Sequence, residues 1–117
     1  MIVEKHPKIE VFQEQNTKNC RWRWRFVDAD GNAMVESIEY LSVKYALEQA
    51  QKLPKINLLV ITSHWAVHGW IMRVEHVDSE LPVAYGVVRY SEEYKCSNDA
   101  LFVNKWLEKR IKIEVLT

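Results

Sequence analysis

Glycine and proline are scarce, with three of each among 117 residues. So few flexible or helix-breaking positions exclude a disordered, low-complexity chain, which is poor in apolar residues and rich in such breakers. They also leave the backbone few places to approach a phosphate closely, and no glycine-rich nucleotide loop is present. Cysteine is scarcer still. Cys20 and Cys96 lie far apart and outside any C-x-x-C motif, so they make no disulfide framework and read as structural thiols. No charge sign dominates, since Lys and Arg total 16 and Asp and Glu total 16. The balance is also local: residues 1–58 carry nine basic and eight acidic side chains, and residues 59–117 carry seven and eight. A strongly cationic nucleic-acid binder is therefore not supported, and no charged block offers a handle for a membrane. Long apolar runs are missing too. Runs such as residues 58–61 reach only four residues, far short of the ~20 residues that cross a bilayer. The opening residues carry charge where the apolar part of a secretory signal would lie, so a cytoplasmic protein is expected.

Apolar residues are plentiful at 48% of the chain, and five Trp and five Tyr stand among them. This composition suits one soluble domain over residues 1–117 with a single hydrophobic core. The clearest local signal is Cys20-Arg21-Trp22-Arg23-Trp24-Arg25-Phe26-Val27. Strand side chains alternate faces, so Trp22, Trp24 and Phe26 share one face and Arg21, Arg23 and Arg25 the other. A shorter strand is expected over residues 8–13, followed by a polar turn over residues 15–19. Asp28-Ala29-Asp30-Gly31-Asn32 then reads as a hairpin turn leading into a return strand over residues 33–37. Ser42 is a candidate N-cap. Behind it Val43, Ala46, Leu47, Ala50 and Leu53 fall at helical spacing, until Pro54 stops the helix.

The same order of elements returns in the second half. Residues 56–61 read as a buried strand, residues 65–77 contain a second extended stretch, and residues 83–90 form a third. Ser97 or Asn98 can cap a second helix reaching about Arg110, with Leu101, Phe102, Trp106 and Leu107 on its apolar face. A last short strand is expected over residues 111–115. Two internal repeats, about 8–54 and 55–117, follow from this order. Superposing Trp22 on Trp70 places Trp24 on Met72, Arg25 on Arg73 and Phe26 on Val74. Ala46-Leu47 then aligns with Ala100-Leu101, which makes the second unit longer ahead of its helix. A unit this short cannot bury its own apolar face, and two together can form one core.

The succession Trp22-Arg23-Trp24-Arg25-Phe26, then Asp30-Gly31-Asn32, then Tyr40-Leu41-Ser42-Val43-Lys44 ahead of a helix resembles the YegP-like domain of unknown function. The resemblance covers roughly residues 8–53, with the second half a divergent repeat in which Asp78-Ser79-Glu80-Leu81-Pro82 stands at the turn. It implies small three-strand-plus-helix units that occur in tandem or dimerise singly. It implies no catalytic residue. The expected fold is therefore α+β: an antiparallel sheet from two tandem strand-strand-strand-helix repeats, with both helices on one face.

The residues offer several candidate sites. The tryptophan stripe could stack bases. However, two apolar helix faces need a partner, and a stripe covered by the helices is the simpler reading. The arginines of the opposite face, about 7 Å apart along the strand, could track phosphates or grip an acidic protein surface. The plain alternative is a solvated face paired across strands with Glu10 or Glu36. His64 and His68 are four apart with His76 beyond, but the segment reads as strand and turn and carries no H-E-x-x-H, so no metal site is assigned. Glu92 and Glu93 would face apart on a strand. No nucleophile motif is present, so no enzyme and no cofactor are expected. Several aromatics lie near element ends, among them Tyr40, Tyr45, Trp65, Tyr85, Tyr90 and Tyr94.

The expectation drawn is a non-enzymatic interaction module, an accessory or regulatory factor of bacterial or viral origin. It is expected as monomer or homodimer, away from membranes, binding another protein through Arg21, Arg23, Arg25, Tyr40, Tyr85 and Tyr90. Nucleic-acid binding by the same Arg/aromatic face is the second reading. A small-molecule pocket lined by Trp24, Trp70 or Trp106 is the third.

Overall fold

The computed structural model describes residues 6–14, 21–65, 67, 69–79 and 81–116. Cys20, His68 and the polar turn expected over residues 15–19 lie outside the described residues.

Among the described residues seven strands form one sheet: β1 (Lys8–Gln13), β2 (Trp22–Val27), β3 (Ala33–Ser37), β4 (Leu58–Trp65), β5 (Gly69–His76), β6 (Pro82–Gly86) and β7 (Ile113–Val115). Two helices, α1 (Val43–Lys52) and α2 (Glu93–Leu107), follow β3 and β6. The class is α+β. The spatial order is β4-β5-β6-β3-β2-β1-β7, so β3 and β6 meet at the middle. The expectation of a wholly antiparallel sheet is corrected by β7, which lies parallel to β1 with Ile9 opposite Ile113 and Val11 opposite Val115. Parallel pairing needs a crossover rather than a hairpin, and here the chain reaches β1 from α2.

Local chemistry accounts for most boundaries. In the β2–β3 hairpin, Asp28 accepts from the Asp30 and Asn32 backbone N–H groups through Oδ1 at 3.0 and 2.9 Å. Gly31 supplies the positive φ of +88° that this turn needs. Ser42 caps α1 by accepting from the Tyr45 backbone N–H at 3.1 Å. Past Lys52 the chain tightens into a short 3-10 turn, Leu53–Lys55, built on Pro54. The stretches expected over residues 56–61 and 65–77 are β4 and β5, an antiparallel hairpin with Leu58 opposite His76 and Trp65 opposite Gly69.

The second helix departs from expectation in its start and its register. It begins at Glu93 rather than after Ser97 or Asn98, and Glu92 makes no side-chain cap. The strand expected over residues 83–90 stops at Gly86, where the chain bends, and Tyr90 then forms an isolated bridge whose backbone exchanges two 2.8 Å hydrogen bonds with Trp70. No proline or glycine follows to delay the helix. Its buried stripe is Cys96, Ala100, Val103 and Leu107. Leu101 is 70% exposed, so it does not join the stripe.

One hydrophobic cluster joins the helices to the sheet. Ile9, Val11, Trp24, Phe26, Met72 and Val74 contribute from the strands, with Ala46 and Ala50 from α1 and Cys96 and Val103 from α2. Both helices therefore cover the same sheet face. Trp24 is 1% exposed, which decides between the two readings of the tryptophan stripe: its ring is core, not a stacking platform. Burying a side chain of this size stabilises by at least ~2–3 kcal/mol. The small residues Ala46, Ala50 and Ala100 let the helices come close above these large strand residues.

Candidate functional site

The opposite sheet face is covered by neither α1 nor α2, and its side chains line up across the strands. Strand register places Glu114, Glu10, Arg25, Glu36, Tyr85, Arg73 and Ile61 in one continuous row. Opposite charges and an aromatic thus stand side by side at cross-strand distance, where such pairs support one another.

The arginine ladder lies on this face, with Arg21, Arg23 and Arg25 side chains 31%, 23% and 29% exposed and each facing a carboxylate. Arg25 Nε donates to Glu10 at 2.7 Å, and its guanidinium also sits 4.4 Å above the Phe12 ring. Arg23 bonds Glu14 at 3.2 Å, Glu39 at 2.9 Å and the Ser37 carbonyl at 2.7 Å. Arg21 approaches Glu39 at 3.9 Å. Lys8 completes the network, reaching Glu10 at 3.3 Å and Glu114 at 2.9 Å. Burial raises the cost of ionising Glu10, but hydrogen bonds and charge from Arg25 and Lys8 outweigh it and hold the carboxyl below its usual range. Of the two partners expected for the ladder, Glu10 or Glu36, it is Glu10 that pairs with Arg25. Glu36 lies opposite Arg25 in register but forms no ion pair among the described residues.

Beyond β6 the face changes character. Arg73 binds Glu75 at 2.6 Å, and its Nε is buried without a hydrogen-bond partner. Ile71 and Glu75 are buried although no helix covers them, and Tyr85 is 37% exposed between Glu36 and Arg73.

The three tyrosines proposed as contacts do not share this face. Only Tyr85 lies on it. Tyr40 is buried in the core, its ring edge-on to Tyr45 at 5.4 Å, and so is withdrawn from the surface. Its backbone pairs with Trp22 through two 2.8 Å hydrogen bonds. Tyr90 is half-buried against the core, and its hydroxyl donates to Asp99 on α2 at 2.5 Å. Burial first, and that hydrogen bond second, push the Tyr90 phenol far above its usual range. Tyr45 and Tyr94 stand exposed on the helices. Arg73, Glu36 and the carboxylates that neutralise the ladder were not singled out as contacts. Their signal was strand register, which places side chains of different strands beside one another.

Of His64, His68 and His76, His68 lies outside the described residues, and the two that are described stand at opposite ends of one hairpin. His64 packs on Trp70 at 4.7 Å between ring centres, while His76 pairs with Leu58 at the far end of the same hairpin. Cys96 is a free, buried thiol, pushed up by burial and by the nearby Asp99. A cavity of about 310 Å³ opens on the helix side, walled by Ile9, Leu53, Leu107 and Ile113 rather than by Trp24, Trp70 or Trp106.

The arrangement matches two solved structures. A UPF0339 protein from Shewanella oneidensis superposes with a TM-score of 0.70 at 14% identity, over 95% of this chain and 92% of that one. The yegP protein of E. coli, described as a protein of unknown function, gives a TM-score of 0.70 at 10% identity, over 97% and 95%. Identity this low establishes a common fold and nothing finer. No protein-family model and no curated protein matches the chain.

Proposed function

From a chain with the YegP fold, we propose a non-enzymatic cytoplasmic interaction module that binds a protein partner through the uncovered sheet face. The contact row is Arg25, Glu36, Tyr85 and Arg73, with Arg21 and Arg23 at its margin. The observation that carries this reading is Tyr85, more than a third exposed and flanked in register by Glu36 and Arg73. Tyrosine and arginine are the residue types that supply most binding energy at protein interfaces. The face is also mixed in charge, because Glu10, Glu14 and Glu39 stand among the arginines. A phosphate backbone would meet those carboxylates at each step, whereas a protein surface can present charges of both signs.

The test is capture from a lysate of the source cell, with and without nuclease, using the wild-type chain and Tyr85→Ala. Tyr85 takes no part in the ion-pair network, so its loss leaves the face otherwise intact. A protein retained in both nuclease arms and lost with Tyr85→Ala is the expected result. Retention only without nuclease, weakening steeply with salt, would move the assignment to nucleic acid. Equal retention by wild type and variant would remove Tyr85 from the site.

The face has this form because, on our reading, the two halves are copies of one unit meeting at β3 and β6. Two details support this. The backbone pair Trp22–Tyr40 corresponds to Trp70–Tyr90. The register shift after Phe26 corresponds to that after Val74, at the positions the Trp22-on-Trp70 superposition equates. The helix alignment then falls with Ala46 on Cys96 and Ala50 on Ala100, all four buried. It replaces the pairing of Ala46-Leu47 with Ala100-Leu101.

A further inference from the structure

The cavity on the helix side lies where the C-terminal ends of α1 and α2 come together over the β1–β7 edge. Its floor is apolar, with Ile9, Leu53 and Leu107 all nearly inaccessible to water. Among the described residues its charged lining is one-sided: the exposed residues Lys55, Lys109 and Arg110 line it with Gln51, and no described carboxylate is among the lining residues. None of the three cations forms an ion pair among the described residues; Lys109 instead rests 4.7 Å above the Trp106 ring. The contrast with the far sheet face is sharp, since every arginine of the ladder there meets a carboxylate. Part of the positive charge complements the two helix ends, each equivalent to about half a negative charge. Three full charges exceed that, so the mouth stays net positive.

We propose that this cavity binds a small amphipathic monocarboxylate, with its apolar body against Ile9, Leu53 and Leu107 and its carboxylate between Lys55, Lys109 and Arg110. Each half of the site selects for one half of such a molecule. The floor gains by removing an alkyl or aryl group from water. Lys55 and Arg110, without an ion pair among the described residues, match a carboxylate, and Arg110 can engage it with two parallel N–H groups. A phosphate cradle is not built here, because both helices present carbonyl ends rather than backbone N–H groups. The volume of about 310 Å³ lies at the small end of the range of about 300–1,000 Å³ for ligand pockets, which suits a short or medium chain rather than a long one. The site lies apart from Tyr85 and stands or falls independently of the protein-binding face.

The test is titration of the ¹⁵N-labelled full chain with octanoate, with n-octylammonium as the matched cation, followed by backbone amide shifts. Saturable binding of octanoate at about 1 mM or tighter, with shifts confined to residues 50–55 and 107–113, is expected. The cation should bind at least tenfold more weakly. The double variant Lys55→Glu, Arg110→Glu alters exposed side chains, so it should keep the wild-type spectrum and lose octanoate affinity by about tenfold or more. Ile111→Trp, which fills the cavity wall, should abolish binding. Equal binding of the two probes, shifts scattered over the surface, no saturation, or full affinity in the charge-reversed variant would each overturn the proposal.

Discussion

The strand triplets β1–β2–β3 and β4–β5–β6 share one covered face and treat the other face differently. On the first triplet, Lys8, Arg21, Arg23 and Arg25 interlock with Glu10, Glu14, Glu39 and Glu114. On the second, Arg73 and Glu75 form the one ion pair among the described residues, and Leu59, Ile61 and Ile71 supply apolar side chains around them. The inner face is uniform because one core must be filled across the whole sheet, and a change of volume there is felt by both helices. The outer face carries no such common demand. Each half can satisfy its exposed backbone and side chains in its own way, and partly exposed ion pairs contribute only about 0–1 kcal/mol each.

Four measurements test this contrast between the two halves. The largest effect is expected in the shared core. Trp24→Ala in the first triplet and Met72→Ala in the second should cost about 3–5 and 2–5 kcal/mol by urea denaturation, each in a single transition. Separate transitions for the two halves would dissolve the claim of a common core. Next come two glycines, both with positive φ. A Cβ on Gly69 would lie 2.5 Å from the Tyr90 carbonyl oxygen, while Gly31 has nothing within 4 Å. Gly31→Ala should cost only the left-handed strain of about 1–2 kcal/mol. Gly69→Ala should cost that strain plus part of the Trp70–Tyr90 backbone pair, at about 0.5–1.5 kcal/mol per hydrogen bond. Equal losses would mean that the close approach in the second half yields without cost.

The helix caps give a smaller contrast. Ser42→Ala should lower stability by about 1 kcal/mol, because Ser42 satisfies an end N–H of α1. Glu92→Ala should be close to neutral, since Glu92 makes no such bond. The smallest effect belongs to the ion-pair network and to low pH. The Glu10 carboxyl is held below the ordinary glutamate value. Its folded form is thus favoured ionised, and its contribution is complete above the unfolded value. That contribution fades as pH falls through the lower, folded value. Carbon-detected titration should find Glu10 below the ordinary glutamate range, and Arg25→Met should bring it back up. An ordinary value in the wild type would show that the network does not bias Glu10.

What could be read from residues alone was whatever repeats locally. The alternation of residues 21–27 gives β2 and its two faces, Asp28 with Gly31 gives the hairpin, and Ser42 with Pro54 brackets α1. Each signal lies within a few residues of the structure it produces. β7 was visible as a strand but not as a parallel one, because strand direction is decided by the route of the chain and leaves no mark on a three-residue alternation. α2 misled for a related reason. It has apolar residues nearly all round, so Leu101 and Phe102 compete on paper with Cys96 and Val103, and only packing against β4 and β5 selects the buried stripe. The candidate face was legible as an arginine ladder with Glu10 as partner. Tyr40 and Tyr90 were misplaced because their position at element ends resembles exposure, while the backbone pairs to Trp22 and Trp70 turn those ends inward.

The pairing of β7 with β1 also sets a timetable for synthesis. β1 is made well before β7, and Lys8 meets Glu114 across that seam. While the chain emerges from the ribosome, the outer side of β1 stays without its neighbour until residues 113–115 have cleared the tunnel. The hairpins and both helices can be in place before then. Among the described strand pairings, closing that seam spans the longest stretch of chain, and a nascent chain stalled short of it would expose a bare strand edge to whatever else is being translated nearby.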